Sequence, residues 1–151
     1  MGDSQKIILD AIAELEKHLK ELCCASFYES EPLYVKEQPC FINTAVSGYF
    51  PERAEDLLEI IHKIESQFGR DRLKEKRHGQ RSLDIDILLF GNFVCSSADL
   101  TIPHPGLKER CFALEPLLEL LPNAICPITG KSYRSICDSL PDQGIRKIPL
   151  T

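Results

Sequence analysis

The sequence predicts an α+β fold, with helices covering a sheet built largely of antiparallel strands. Three observations lead there. Apolar residues at helical spacing open the chain, β-favouring runs follow at 23–30 and 41–50, and a second helix-like stretch precedes a dense apolar run at 82–91. With 151 residues the chain has the size of one domain, roughly 100 to 150 residues, and 1–151 reads as a single domain. Hydrophobic residues make up 43% and charged residues 27%, which excludes a disordered or fibrous chain.

Each element has a local cause. From Asp3, the residues Ile8, Ile12, Leu15, Leu19 and Leu22 recur at spacings of four and three, so one helical face is predicted to be buried up to Leu22. CCASFYES (23–30) favours a strand, and the two prolines of EPLYVKEQPC mark a loop. FINTAVSGYF (41–50) reads as one strand, with Phe41, Asn43 and Ala45 on one face and Ile42, Thr44 and Val46 on the other. Pro51, Glu52, Glu55 and Asp56 suit a helix start, since proline fits the first turn and acids favour its positive end. That helix turns Leu57, Ile61, Ile64 and Phe68 inward and stops at Gly69.

The next stretch, 69–81, carries Arg70, Arg72, Lys74, Lys76, Arg77 and Arg81 with little apolar content, and is expected to be a mobile basic loop. SLDIDILLFG (82–91) has the length and Ile/Leu content of a strand. IPHPGLKERCF (102–112) is a proline-rich loop, ALEPLLELLP (113–122) a short helix, and the remainder is turn-rich without a clear pattern. This order would match a βαββαβ unit if one more strand preceded the first helix.

Charge and cysteines narrow the function classes. A net charge of −5 argues against an extended nucleic-acid surface, which needs an excess of cations. An RNA-binding sheet would also want exposed aromatics in its strands, and none stand out. The seven cysteines are odd in number, contain no CxxC pair and sit in apolar stretches, so they read as buried free thiols of a reducing cytoplasm. No run approaches the roughly 18 apolar residues of a membrane span, and no signal pattern opens the chain.

Chemistry concentrates at Asp84-Ile85-Asp86, because residues two apart on a strand share a face and both carboxylates can address one site. Two such acids suit Mg²⁺, which takes oxygen ligands and completes its shell with substrate phosphates; two edge-strand acids that only discourage aggregation are the plain alternative. The neighbouring arginines and lysines suit a triphosphate, since phosphoryl transfer relies on positioning and charge neutralisation, although a solvated charge run would look the same. His104, between two prolines, and Arg110 form a second polar set, the arginine able to grip phosphate bidentately. Phe41 and Phe112 could sandwich a flat ring with Asn43 reading its edge, or could be core.

Taken together, FINTAV, the block from GRDR to RHGQRSLDIDILLFG, and IPHPGLKERCF resemble the 6-hydroxymethyl-7,8-dihydropterin pyrophosphokinases of folate synthesis, over about residues 2–125. The resemblance implies a ferredoxin-like α/β/α sandwich, ATP with two Mg²⁺ ions, and transfer of the β,γ-pyrophosphoryl group to the pterin hydroxymethyl oxygen with release of AMP. By position, Asp84 and Asp86 match the metal-binding acids. Arg70, Arg81, His104 and Arg110 match nucleotide and phosphate ligands, with Arg70 and Arg81 placed to stabilise the transition state. Asn43 matches the reader of the pterin edge, and Phe41 and Phe112 the rings that stack on it. Glu65, Arg72 and Leu107 carry over more weakly around the nucleotide, as do Ser30 and Leu33 around the pterin.

The same resemblance exposes departures. Family members carry a first strand ending in a GSNLG-like turn, whereas this chain opens at Met1-Gly2-Asp3, inside that turn, so the strand is expected to be missing from the sheet. His78 and Gln80 stand where Trp and Pro are frequent, the loop is one residue longer, Phe41 replaces a common Tyr, and Glu31 a frequent Pro. The implied protein is a cytoplasmic monomer that binds ATP and the pterin, no nucleic acid and no membrane, alone or fused to or working beside other folate enzymes. The competing reading is a non-catalytic pterin- or nucleotide-binding domain that has lost turnover with its first strand.

Overall fold

The computed structural model describes residues 2–30, 41–69 and 83–149, with the backbone alone at 2 and 3. Leu33 and the basic stretch with Arg70, Arg72 and Arg81 lie outside the described residues. Among the described residues there are four helices and three small sheets, and the strand pairs run antiparallel where their register is seen, the content expected of an α+β chain and consistent with the ferredoxin-like class. Contacts divide the chain into two compact units, one of residues 1–22 and 48–87, the other of 23–47 and 88–151.

The first unit holds two helices. Helix α1 (Gly2–Glu16) buries Gln5, Ala11 and Leu15. It ends six residues before the expected Leu22: the His18 and Leu19 N–H groups both fall on the Leu15 carbonyl, and the chain enters strand β1 (Lys20–Cys24). Leu19 and Leu22 continue the helical spacing by sequence, but strand pairing overrides it, β1 joining β4 (Val46–Tyr49) in a two-stranded sheet. Gly48 permits this approach, since a Cβ there would stand 3.0 Å from Leu19 Cβ and 3.2 Å from the Lys20 carbonyl oxygen.

Helix α2 (Ala54–Gln67) follows its sequence signals most closely, burying Ala54, Leu57, Ile61, Ile64 and Glu65. Its start lies at Arg53 rather than Pro51. The Asp56 carboxylate reaches back to accept from the Arg53 backbone N–H at 3.2 Å and from Arg53 Nε at 3.3 Å, the returning half of a capping box. These bonds from Arg53 hold the Asp56 carboxyl below the usual carboxylate range. Phe68, expected inward, is the half-buried C-cap, and Gly69 closes the end with φ +86°.

The second unit is built on a three-stranded sheet in the order β3 (Phe41–Asn43), β2 (Phe27–Ser30), β7 (Arg146–Ile148). The single strand expected over 41–50 is therefore two. At Thr44 the chain turns away: its hydroxyl donates toward the carbonyls of Ala25 and Ser26 at 3.1 and 3.0 Å, while the Ala45 carbonyl accepts from Ala25 N–H. A side chain thus takes ladder positions, and β3 and β4 are free to pair with different strands.

Three elements had no clear sequence signal: the hairpin of β5 (Cys95–Ser96) and β6 (Thr101–Ile102), helix α4 (Tyr133–Ser139) and β7. Helix α3 (Cys111–Leu120) begins two residues before its expected start, so Phe112 lies in its first turn. Its first N–H, on Cys111, donates to the Gln143 side-chain oxygen at 3.0 Å, and the same amide donates to the Glu109 carbonyl, satisfying helix-end groups that no helical partner can reach. Leu107, Leu114, Leu117, Leu118, Tyr133 and Cys137 form the core between α3 and α4.

Residues 83–90 are not a strand, contrary to the sequence expectation. A strand is defined by its ladder, and no described strand pairs with this run; its hydrogen bonds go elsewhere, Ile85 N–H to the Glu65 carboxylate and the Leu88 carbonyl to His104 N–H. The expected alternation survives nonetheless, with Leu83 and Ile87 buried and Asp84 and Asp86 exposed.

The six described cysteines are free, but only Cys111 and Cys137 are buried. Cys23 and Cys24, expected inside, are exposed on β1 and Cys95 and Cys126 are half-buried, because these lie on strands and turns with only one covered side; Cys40 is outside the described residues. No helix among the described residues is long and apolar enough to cross a membrane.

One carboxylate ties α3 to the sheet. Glu119 accepts from the Ser26 backbone N–H and hydroxyl at 2.8 and 3.0 Å and from the Tyr28 hydroxyl at 2.6 Å, with Lys147 Nζ at 3.8 Å. Burial alone would raise its pKa, but the donors outweigh it and hold the carboxyl below its ordinary value. A depressed folded pKa means the contribution is full above the unfolded value, about 4.3, and is lost as pH falls through the folded one. We expect Glu119→Ala to lower unfolding free energy by about 1.5 kcal/mol at pH 7, measured by urea denaturation, with the gap to the parent narrowing at pH 3.

Candidate functional site

In the first unit the site residues are Glu65, Asp84 and Asp86. Exposed residues at 84 and 86, with buried ones at 83 and 87, place both carboxylates on the solvent side of one short segment. Glu65, on the buried face of α2, is only 1% exposed, and its Oε2 accepts the backbone N–H of Ile85, the residue between the two acids, at 2.9 Å. A carboxylate in such a place needs strong donors, and one of them is the main chain that carries the metal-type pair. Glu65 was expected around the nucleotide; here this oxygen is committed to supporting Asp84 and Asp86.

The donor set fits magnesium. Two carboxylates supply the hard oxygens that magnesium takes, an ion that commonly completes its shell with substrate phosphate and water.

In the second unit the expected pterin residues meet through strand register. Ser30 lies opposite Phe41 and Tyr28 opposite Asn43, and the Asn43 side-chain amide donates to the Ser30 hydroxyl at 3.2 Å. That bond uses one amide hydrogen and orients the group, leaving its carbonyl oxygen and second hydrogen for other partners. Ser30 is buried and Phe41 is 55% exposed, an open ring at the start of β3. At this exposure Phe41 is not part of the core.

The loop before α3 organises His104, Arg110 and Phe112 around Gly106. Gly106 N–H donates to His104 Nδ1 at 3.0 Å, which fixes that ring nitrogen as an acceptor. The Arg110 guanidinium lies 5.7 Å from the Phe112 ring centroid, a cation–π contact. It also crosses Gly106 so closely that a Cβ there would stand 2.7 Å from Arg110 Cζ and Nε. Leu107 is 1% exposed and belongs to the core, so any ligand contact would run through its main chain. Gly106 was not singled out from the sequence; its only signal was its place four residues before Arg110 in PGLKER.

Arg70, Arg72, Arg81 and Leu33 lie outside the described residues. Geometry therefore brings together Glu65 with the acid pair in one unit, and Ser30 with Asn43 and Phe41, and Arg110 with Phe112 and His104 with Gly106, in the other.

A family model described as 7,8-dihydro-6-hydroxymethylpterin-pyrophosphokinase matches residues 1–122. The chain is 38% identical over 135 residues to the 2-amino-4-hydroxy-6-hydroxymethyldihydropteridine pyrophosphokinase of Aquifex aeolicus, covering 89% of this chain and 82% of that one. It is 36% identical over 149 residues to the folic acid synthesis protein fol1 of Pneumocystis carinii, covering 98% of this chain but 20% of that protein. A mitochondrial folate synthesis bifunctional protein of Pisum sativum is 41% identical over 111 residues, 74% of this chain and 21% of the other. The chain belongs to the 7,8-dihydro-6-hydroxymethylpterin-pyrophosphokinase family. It spans about a fifth of the length of several curated relatives that it matches nearly end to end.

The Glu65 contact has a direct test. Glu65→Ala leaves Ile85 N–H without this acceptor and should cost about 1–3 kcal/mol, with faster amide exchange at Ile85. Glu65→Gln keeps an acceptor oxygen and should slow that exchange again.

Proposed function

We propose that residues 1–151 act as one pyrophosphokinase domain, transferring pyrophosphate from ATP to 6-hydroxymethyl-7,8-dihydropterin to give the pterin diphosphate and AMP. The observation that carries this reading is the pair of outward carboxylates at 84 and 86, braced by Glu65, in a chain of this family. The pterin hydroxymethyl oxygen bonds to the β-phosphorus and gives up its proton to solvent, the bond from that phosphorus to the α-β bridging oxygen breaks, and AMP leaves with that oxygen.

Asp84 and Asp86 would hold the two Mg²⁺ ions, which supply Lewis-acid neutralisation of the phosphate oxygens. The chain's own groups do the rest. Arg110, held against Phe112, and His104 are assigned to phosphate oxygens, Arg72 to the nucleotide, and Arg70 and Arg81 to the charge that grows as the bond breaks. Asn43, oriented by Ser30, is assigned to the hydrogen-bonding edge of the pterin, with Phe41, Phe112 and Leu33 to its faces; a rigid flat acceptor needs little else to be positioned. Leu107 is assigned to the nucleotide through its main chain.

We further place the protein in the cytoplasm as a monomer. Relatives that carry the matching segment within much longer chains suggest that other folate enzymes work beside or joined to it.

Incubating the chain with Mg²⁺, ATP and the pterin should release AMP in step with pterin diphosphate; a folded chain that releases none would overturn the reading in favour of a binding domain. Asp84→Ala and Asp86→Ala should each abolish the reaction while leaving thermal unfolding close to the parent, and near-parental turnover in either would remove the metal assignment. Gly106→Ala should displace Arg110 and reduce kcat/KM about as much as Arg110→Ala does, and the double variant should lose little more than either single one, the signature of a shared path.

A further inference from the structure

Gln143 stands past residue 122, where the family match ends, and its half-buried side chain meets both peptide groups that flank Arg110. Its Oε1 accepts from Cys111 N–H at 3.0 Å, and its Nε2 donates to the Glu109 carbonyl at 3.0 Å. The two ends of the amide cannot be exchanged, because an N–H only donates and a carbonyl only accepts. A residue on a parallel neighbouring strand would bond the same two groups, the carbonyl before and the N–H after the residue it faces. One side chain thus stands in for a strand. A plain cap of α3 would need the Cys111 bond alone; the Glu109 bond, on the far side of Arg110, is one that a cap does not use.

Arg110 has the backbone that such a partner selects. Its φ of −115° and ψ of 106° lie close to the parallel-strand values of about −120° and +115°, although the next residue begins α3. The Arg110 carbonyl accepts from Ala113 and Leu114 N–H at 3.1 and 3.0 Å, so the helix holds this residue from one side and Gln143 from both. The Arg110 side chain makes no capping bond to that helix; it runs across Gly106 to the Phe112 ring. The rotamers open to a side chain depend on its φ and ψ, so a change in either would swing the guanidinium off both neighbours.

Gln143 is itself firmly held. Asp142 Oδ1 accepts from Gly144 N–H at 2.8 Å, with Gly144 at φ +72°. Beyond it β7 pairs with β2, Arg146 facing Glu29 with the two side chains bonded at 2.8 Å. Strand β2 also carries Ser30, the partner of Asn43. Resting on the pyrophosphokinase reading, we propose that Gln143 is a positioning residue for phosphate: it locks the extended backbone of Arg110 and so the line of its guanidinium over Gly106 and Phe112. Gln143 acts through Arg110, and it ties the turn that grips phosphate to the sheet that carries Ser30 and Asn43.

Two substitutions separate positioning from capping. Gln143→Glu keeps an acceptor for Cys111 N–H, at a helix end that favours negative charge, but when ionised it cannot donate to the Glu109 carbonyl; Gln143→Leu removes both bonds. In the intact chain with Mg²⁺, ATP and the pterin, KM for ATP should rise and kcat/KM fall, about threefold in Gln143→Glu and about tenfold in Gln143→Leu, while thermal unfolding of Gln143→Glu stays close to the parent. Gln143→Leu added to Arg110→Ala should lose little more than Arg110→Ala alone. Without substrates, the NMR resonances of the Arg110 δ-protons and Nε–H, displaced by the Phe112 ring, should move toward free-arginine values in both variants. Folded Gln143 variants with parental kcat/KM, or with parental Arg110 resonances, would overturn the proposal. A parent that releases no AMP would instead sink the pyrophosphokinase reading, and the Arg110 resonances would still decide whether Gln143 sets that side chain.

Discussion

A carboxylate inside a protein survives only where donors replace the water it has lost. Glu65 meets that condition on the buried side of α2, and one donor it uses is the amide between Asp84 and Asp86. The direction in which the acid pair points is therefore set by a helix rather than by a neighbouring strand. With Ile85 anchored, Leu83 and Ile87 sink and the two acids rise, so the alternation of a strand persists in a segment that has no described ladder.

Much of this was legible in the sequence, for identifiable reasons. Helix α2 declares itself because its period, its early acids and its final glycine agree with one another. The DxD alternation was legible because period two is a property of extended backbone, whether or not a partner strand is present. The end of α1 was not, since Leu19 and Leu22 keep helical spacing and only the pairing of β1 with β4 shows that they leave the helix. The break at Thr44 depends on carbonyls eighteen and nineteen residues away, information no local window contains. Helix α4 and β7 are short, and their apolar residues Tyr133, Ile136, Cys137 and Ile148 are too few to register a period.

The candidate site divides the same way. Motif blocks carried the identities of Asp84, Asp86, His104, Arg110, Phe41 and Asn43, but not what holds each in place. Glu65 under Ile85, Ser30 beside Asn43 and Gly106 beneath Arg110 are contacts between residues that the sequence separates or treats as filler. Glu119 gathers Ser26, Tyr28 and Lys147 across more than ninety positions of chain in one case, so nothing near it in sequence announces its role as a tie between helix and sheet. The candidate site side chains fall within compact motifs; the residues that hold them are drawn from wherever the fold delivers them.

The Gln143 side chain bears on where this module stops. The family match ends at residue 122, yet the amide that terminates α3 at its first turn, beside Phe112 and Arg110, arrives from twenty-one residues further on, and Tyr133 and Cys137 of the same tail fill the core above that helix. In a family whose members are often stitched into longer polypeptides, the natural seam for recombination is thus set by hydrogen bonds and packing rather than by the last recognisable motif. A splice made at the motif boundary would inherit every recognisable residue and lose the side chain that caps α3 and two residues that fill the core beside it.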